Sequence, residues 1–193
     1  MNPDPLRQFE QWYEDAKRNP AIADPSAMAL ATADDAGRPS VRMVLLKQRD
    51  EHGFVFFTNL ESPKARDLAT NPQAALCFHW APLGRQVRIE GSVVPVEDTE
   101  ADEYFETRPR LSQLGAWASQ QSKPMPHRLA LETGVAWAAA CYGVGKVPRP
   151  PHWSGFRVSA ERYEFWSEGP FRQHERMVFE KAADGWKELR LFP

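Results

Sequence analysis

Near the N-terminus the apolar residues Leu6, Phe9, Trp12, Tyr13 and Ala16 recur at helical spacing. With Asp4 as N-cap and Pro5 at the first helical position, they predict one amphipathic helix ending at about Arg18. Beyond it the pattern changes to short apolar runs separated by turn residues. Ala27–Thr32 is small and apolar, DDAGRP makes a turn, and VRMVLLK at 41–47 has strand composition, which together read as a hairpin. RDEHG turns the chain into FVFFTN at 54–59, and Ser62-Pro63-Lys64 then starts a helix that Asn71-Pro72 stops. AALCFHW at 74–80 and RQVRIEGSVVPV at 85–96 are two further strands, and Thr99 with Asp102 has the form of a capping box opening another helix. The segment 112–142 reads as mostly helical, interrupted by SKPMP, and PRPP at 148–151 as an extended connector. Strands near 155–159, 162–166, 175–180 and 186–191 close the chain.

Many short strands at hairpin spacing, with helices inserted between them, argue for an antiparallel barrel or sandwich: mainly β with inserted helices, in the α+β class. The length of 193 residues suits one domain over 1–193, with the segment 1–20 packing on it as a helix. The single Gly-x-Gly, Gly143-Val144-Gly145, follows a helical stretch and runs into prolines, so it reads as a loop and not as a dinucleotide-binding turn.

Composition narrows the function classes. At 42% hydrophobic and 26% charged the chain is an ordinary globular protein, and its net charge of −2 gives no general nucleic-acid surface. No apolar run reaches the roughly 20 residues that span a bilayer, and MNPDPLRQFE lacks a signal peptide's basic start and apolar core, so a cytoplasmic protein is expected. Cys77 and Cys141 have no partners at metal-ligand spacing and read as reduced core cysteines. The histidines are scattered, and HExxH, CxxC and GxSxG are absent from the sequence, so neither a metal centre nor a serine hydrolase is predicted.

Any anion site must therefore be local, and three stretches offer one. Ser62-Pro63-Lys64 sets a helix N-terminus and a lysine directly after a strand, which suits a phosphate, although plain capping beside a solvated lysine is the commoner use of such a motif. Arg42 inside an otherwise apolar strand needs solvent or a partner, and strict alternation puts it on the face opposite Lys47 unless a bulge intervenes. In YFETRPRLSQ, Tyr104 and Arg108 share a helical face, with Ser112 one turn further if the path stays helical across Pro109. Finally FRQHERM at 171–177, read as extended, lines Arg172, His174 and Arg176 along one face. That is either an edge strand using charge against aggregation or a site for an anion or an electron-rich ring.

Taken in order, DPSAMALAT at 24–32, RMVLLK at 42–47, FTNLESPKA at 57–65, RQVRIEG at 85–91, YFETRPRLSQLGAWASQQS at 104–122, HWSGFRV at 152–158, EFW at 164–166, RQHER at 172–176 and the terminal RLFP resemble the pyridoxine (pyridoxamine) 5′-phosphate oxidase family over nearly the whole chain. The resemblance implies a split β-barrel homodimer with FMN in two clefts at the subunit interface, acting on a phosphorylated B6 vitamer. It implies oxidation of pyridoxamine or pyridoxine 5′-phosphate at C4′ to pyridoxal 5′-phosphate, with dioxygen as acceptor and hydrogen peroxide as product. By matching positions it assigns FMN to Arg42, Met43, Val44, Leu45, Leu46, Lys47, Phe57, Thr58, Ser62, Lys64, Gln86, Gln121, Ser122, Trp166 and Arg176. The substrate phosphate falls to Lys47, Tyr104, Arg108 and Ser112, and the catalytic places beside the pyridine ring to Arg172 and His174.

Two departures accompany the match. Pro63 stands where the family commonly has an arginine, and the chain begins at about the helix that follows the basic arm of longer members. The rival expectations are a related flavin oxidase of the phenazine-biosynthesis type acting on another ring, and an FMN- or pyridoxal-phosphate-binding protein without turnover.

Overall fold

The computed structural model of the chain describes residues 4–193, so the first three residues of the helical segment expected over 1–20 lie outside the described residues. Helix α1 (Pro5–Arg18) begins where the pattern places it: the Asp4 carboxylate accepts a hydrogen bond from the Arg7 N–H at 3.0 Å, with Pro5 in the first turn. Its apolar face buries Phe9, Tyr13 and Ala16 against a β-sheet.

That sheet has nine strands: β1 (Ala27–Ala33), β2 (Pro39–Leu45), β3 (Gln48–Asp50), β4 (Gly53–Asn59), β5 (Gln73–Trp80), β6 (Arg85–Pro95), β7 (Trp153–Ser167), β8 (Glu175–Ala182) and β9 (Gly185–Leu191). All pairings are antiparallel, in the order β2-β1-β5-β6-β7-β4-β3, with β8 and β9 branching from β7. The Lys47 N–H donates to the Val55 carbonyl at 2.9 Å, which ties the end of β2 to β4 and curls the sheet into a split barrel.

The two strands expected near 155–159 and 162–166 are one. β7 pairs with β4 through residues 153–158 and with β8 through 162–167, while β6 follows its other edge throughout. What interrupted the sequence pattern is a bulge, where the register shifts between Glu90 and Gly91 and Glu161 is left over. A Cβ on Gly91 would overlap the Ser159 carbonyl oxygen, so glycine is what lets β6 pass the bulge.

The barrel interior is aromatic, with Phe9 meeting Phe54, Phe78 and Trp80, and Phe78 meeting Trp80. Along β1 and β6 burial alternates, but β4 is buried on both faces because Val55 turns outward beneath a helix, against Val96 and Ala101. The remaining helices are α2 (Pro63–Thr70), α3 (Asp98–Thr107), α4 (Arg110–Ala118) and α5 (Ala130–Tyr142). A second cluster, Phe105, Leu114, Ala138, Val147 and Trp153, packs α3, α4 and α5 onto the start of β7, outside the barrel.

Three local expectations give way. The N-cap of α3 is Glu97, with no side-chain cap bond, because Asp102 is taken by Arg149 at 2.5 Å. FRQHERM is not one extended run: Pro170–Arg172 form a tight turn with Phe171 and Arg172 at φ of 54° and 63°, and β8 starts only at Glu175. Cys77 is half-buried but Cys141 is exposed on α5, so the cysteines are free without both being core residues.

Phe9 is fully buried and meets Phe54 edge-on at 4.9 Å between ring centroids. Phe9→Ala is expected to lower the unfolding free energy by about 3–5 kcal/mol. Chemical denaturation measures this, and an unchanged midpoint would mean that α1 does not belong to the cooperative core.

Candidate active site

On the outside of the barrel, between β2, the end of β4 and the three-helix cluster, lies a cleft of about 920 Å³. Its lining includes Arg42, Met43, Val44, Leu45, Lys47, Phe57, Thr58, Lys64, Tyr104, Arg108, Ser112, Gln121 and Ser122, all of them among the residues the sequence singled out. Leu46, assigned beside them, is buried against the barrel core, its N–H spent on the Ser26 carbonyl.

The cleft gathers cations that have lost water without gaining matched carboxylates. Lys64 is 8% exposed, and burial together with nearby Arg42 lowers its pKa from the usual lysine range. Its ammonium donates to Ser62 Oγ at 3.2 Å and to Gln121 Oε1 at 3.0 Å. Ser62, fully buried, makes no side-chain cap on α2; its hydroxyl receives Lys64 instead, so the motif read as a simple cap is a lysine seat at a helix N-terminus. Pro63 occupies the first turn of α2, where its missing N–H leaves no helical bond unmade.

Arg42 reaches back across β1, donating to Thr32 Oγ1 at 2.7 Å and to the Leu30 carbonyl at 3.2 Å, with Asp67 at 3.8 Å. Burial lowers its pKa, opposed by Asp67. Arg42 and Lys47 both line the cleft because the chain leaves β2 after Leu45, so strict alternation does not apply between them.

Tyr104, Arg108 and Ser112 come together by a different route from the continuous helix expected. α3 ends at Thr107, Arg108 is its extended C-cap, and α4 restarts after Pro109. The corner swings Arg108 inward. Its Nη1 is buried and has no hydrogen-bond partner among the described residues, and its guanidinium lies over the Trp153 ring at 4.7 Å. Burial lowers its pKa, with Tyr104 the opposing influence. A buried guanidinium N–H facing a cleft without an acceptor is costly until an anion fills the place.

The second group of assigned residues lies elsewhere. Gln86, Trp166 and Arg176 face one another directly across β6, β7 and β8. Trp166 stands 4.7 Å from the His174 ring, and Arg176 is held by Glu164 at 2.8 Å. His174 and Arg176 line a separate recess of about 320 Å³. His174 Nδ1 accepts the Gly169 N–H at 3.3 Å, which leaves Nε2 to carry the proton of the neutral ring. Arg172 is exposed in the left-handed turn beside Phe171, itself 94% exposed; two such non-glycine residues store about 1–3 kcal/mol each, a mark of functional loops.

Sequence reasoning missed Asn59, Ser119 and Trp153 in the cleft wall, and Glu164 behind Arg176. Asn59 Nδ2 donates to the Ser119 carbonyl at 3.3 Å, anchoring the loop that carries Gln121 and Ser122. Trp153 sat within the quoted HWSGFRV, and a tryptophan at a strand start beside so many aromatics was the available signal. Glu164, 3% exposed beside Arg88, Arg162 and Arg176, gave none, since its arginines come from three strands.

Comparison with known proteins places the chain among its relatives. Residues 15–142 match the family described as Pyridoxamine 5'-phosphate oxidase, and residues 153–193 match the Pyridoxine 5'-phosphate oxidase C-terminal dimerisation region. The Pyridoxine/pyridoxamine 5'-phosphate oxidase of Azorhizobium caulinodans is 56% identical over 192 residues, covering 98% of this chain and 90% of that protein. The protein of the same name from Rhodospirillum rubrum is 56% identical over 195 residues, covering 98% and 96%. Among solved structures, PhzG from Burkholderia lata, in complex with tetrahydrophenazine-1-carboxylic acid, superposes with a TM-score of 0.92 at 33% identity, covering 98% of this chain and 93% of that one. A pyridoxamine 5'-phosphate oxidase-related, FMN binding protein from Nostoc punctiforme shares the fold at a TM-score of 0.78 and 15% identity, each chain covered in full.

Because burial lowers the Lys64 pKa, the unfolded chain binds more protons than the folded one between that lowered value and the ordinary lysine value, and stability contributed through Lys64 rises with pH across this window. Compared with Lys64→Met, the FMN-free wild type is expected to gain relative stability as pH rises toward the ordinary lysine value of 10.5, as followed by urea unfolding. A pH-independent difference between the two would mean that Lys64 is not dehydrated in the folded state.

Proposed function

The chain belongs to the pyridoxamine 5'-phosphate oxidase family, and from that premise we propose how its residues carry out the FMN-dependent oxidation of pyridoxamine and pyridoxine 5′-phosphate to pyridoxal 5′-phosphate. The observation that carries the reading is the buried, partnerless Nη1 of Arg108 beside Tyr104, Ser112 and Lys47 in one cleft. Two hydroxyls and two cations around one space suit the phosphate of the substrate. The seat made by Ser62, Lys64, Gln121 and the start of α2 takes the phosphate of FMN, with Arg42 behind it and Thr58 at its rim.

FMN held in that seat would supply two-electron oxidation at C4′ with dioxygen as the final acceptor, giving hydrogen peroxide; the alcohol would yield the aldehyde directly, and the amine an imine that water converts to the aldehyde with release of ammonia. The protein's part is placement and charge. Lys47, Tyr104, Arg108 and Ser112 hold the phosphate end of the substrate, fixing the distance of C4′ from the ring that oxidises it. Arg172 and His174 would stand beside C4′, with His174 Nδ1 engaged by the Gly169 N–H and Nε2 left to face the substrate. Arg176, kept in place by Glu164, faces the flavin and offsets the negative charge that gathers there.

These roles require two copies of the chain. Trp153, in the cleft, and Trp166, in the second group, lie thirteen residues apart on the same strand, a path of about 40 Å at the usual rise. The cross-strand pairings put Met43, Ala29, Cys77, Arg88 and Glu164 in one row, on the face that also carries Gln86, Trp166 and Arg176. At its β2 edge this face exposes Val41 and Met43, 68% and 64% accessible, an apolar rim that suits burial against a partner. Packing two such faces together carries Trp166, Arg172, His174 and Arg176 of one protomer to the cleft of the other. The dimerisation region matched at 153–193 covers β7, β8 and β9, which carry that face. The free cysteines suit a cytoplasmic setting, and among the described residues no helix is long and apolar enough to cross a membrane.

The likeness to PhzG supports one second reading, oxidation of a ring compound without phosphate. Such a ligand offers Arg108 a carboxylate in place of a phosphate, so what favours the oxidase reading is the identity, 33% to that protein against 56% to the oxidases.

With FMN and pyridoxamine 5′-phosphate in air, the purified protein is expected to release pyridoxal 5′-phosphate and hydrogen peroxide in equal amounts; bound flavin with neither product would reject the reading. Arg172→Ala is expected to lower kcat by about 100-fold while FMN content stays near that of the wild type. If turnover and flavin fell together, the assignment of Arg172 to the substrate would be wrong. Met43→Asp is expected to yield monomers that no longer retain FMN, as read by light scattering and flavin absorbance.

A further inference from the structure

We infer that Trp153 is a positioning residue that gives the cleft its preference for a phosphorylated substrate, by aiming Arg108 without consuming the hydrogen bonds Arg108 must offer. The inference rests on the reading of Arg108 and Tyr104 as ligands of the substrate phosphate. Trp153 opens β7, is paired with Asn59 of β4, and is 7% exposed. Its ring lies nearly parallel to Phe57 at 5.2 Å and 2°, and Phe57 lies nearly parallel to Tyr104 at 4.2 Å and 11°. Phe105 meets Trp153 at 66° and 5.0 Å, closing the other side. The guanidinium of Arg108 rests 4.7 Å from the Trp153 centroid and 5.5 Å from that of Phe105.

The chemistry of that arrangement differs from an ion pair. Elsewhere among the described residues half-buried arginines are held by carboxylates: Arg149 by Asp98 and Asp102, Arg157 by Asp50 and Glu100, Arg176 by Glu164. Arg108 has no carboxylate among its recorded partners, and its Nη1 makes no hydrogen bond. A carboxylate would orient the guanidinium but would also neutralise it and occupy the fork that a phosphate needs. An indole face orients and dehydrates the cation through its quadrupole and leaves the N–H groups in the plane free. The same ring braces Tyr104 through Phe57, so one side chain sets both an N–H donor and a hydroxyl. Tryptophan has the strongest face for this purpose, and phenylalanine a weaker one of similar orientation.

The test uses the FMN-loaded enzyme with Trp153→Leu and Trp153→Phe, and compares pyridoxamine 5′-phosphate with pyridoxamine. Trp153→Leu is expected to raise KM for the phosphorylated substrate about tenfold, and Trp153→Phe about threefold, with kcat much less affected. For pyridoxamine neither variant should change kcat/KM by more than about twofold, because no phosphate is present to be placed. Equal losses on the two substrates, or an unchanged KM, would overturn the inference and leave Trp153 a packing residue. Should Trp153→Leu fail to fold or to hold flavin, Trp153→Phe alone decides by the same ratio. Calorimetric titration of inorganic phosphate into the FMN-loaded proteins separates this inference from the reading beneath it. If the wild type turns over neither amine yet binds phosphate more tightly than Trp153→Phe, the positioning role stands and the reaction assigned is wrong. If wild type and variant bind phosphate alike, the positioning role falls whatever the reaction.

Discussion

One strand constrains the architecture of the site. β7 must satisfy β6 along one edge and two different strands, β4 and β8, along the other. A backbone has only one row of N–H and C=O groups per edge, so the change of partner requires a place where the strand can bend, and the bulge around Gly91 and Glu161 supplies it. The consequence is functional. One end of β7 lays Trp153 into the cleft, and the other presents Trp166 and Glu164 on the sheet's outer face, too far along the strand to serve the same ligand within one protomer.

The charge arrangement follows from the same layout. On the outer face Glu164 is surrounded by Arg88, Arg162 and Arg176, a buried carboxylate whose desolvation is offset by three cations. In the cleft the balance is reversed: Arg42, Lys64 and Arg108 are dehydrated, with Asp67 at 3.8 Å from Arg42 the nearest carboxylate recorded for them. Such a cleft costs stability when empty and recovers it when anions bind, the usual exchange between a prepared site and a stable one. It also explains why aromatic faces rather than acids hold Arg108.

Much of the fold was legible in the chain. The helical spacing of Leu6, Phe9, Trp12 and Tyr13, the turn residues of the first hairpin, and the cap at Asp4 are local signals, and local physics decides them. The charged cleft residues Arg42, Lys64 and Arg108 were legible too, because cations among apolar neighbours and a helix start after a strand are visible in one dimension, whereas Phe57, Thr58, Gln121 and Ser122 came only from the family resemblance. The failures were equally local in cause. Glu161 looked like a break because a bulge and a turn share the same loss of alternation. Phe171 and Arg172 looked extended because nothing in FRQHERM announces two left-handed residues, and the spacing of Thr99 and Asp102 looked like a capping box because nothing nearby shows that Arg149, far along the chain, takes Asp102.

By itself, then, the sequence determined the helices, most of the strands, the family, and which side chains carry charge into an apolar setting. Only the tertiary structure decided that Ser62 would receive Lys64 instead of capping α2, that the corner at Pro109 would leave Arg108 without a hydrogen-bond acceptor, and that Trp153 and Glu164 would stand behind the residues they support. The physical reason is the range of the forces involved. Propensity, capping and periodicity act over a few residues, whereas dehydration, ion pairing and ring stacking depend on what the closed sheet brings together from positions up to a hundred residues apart.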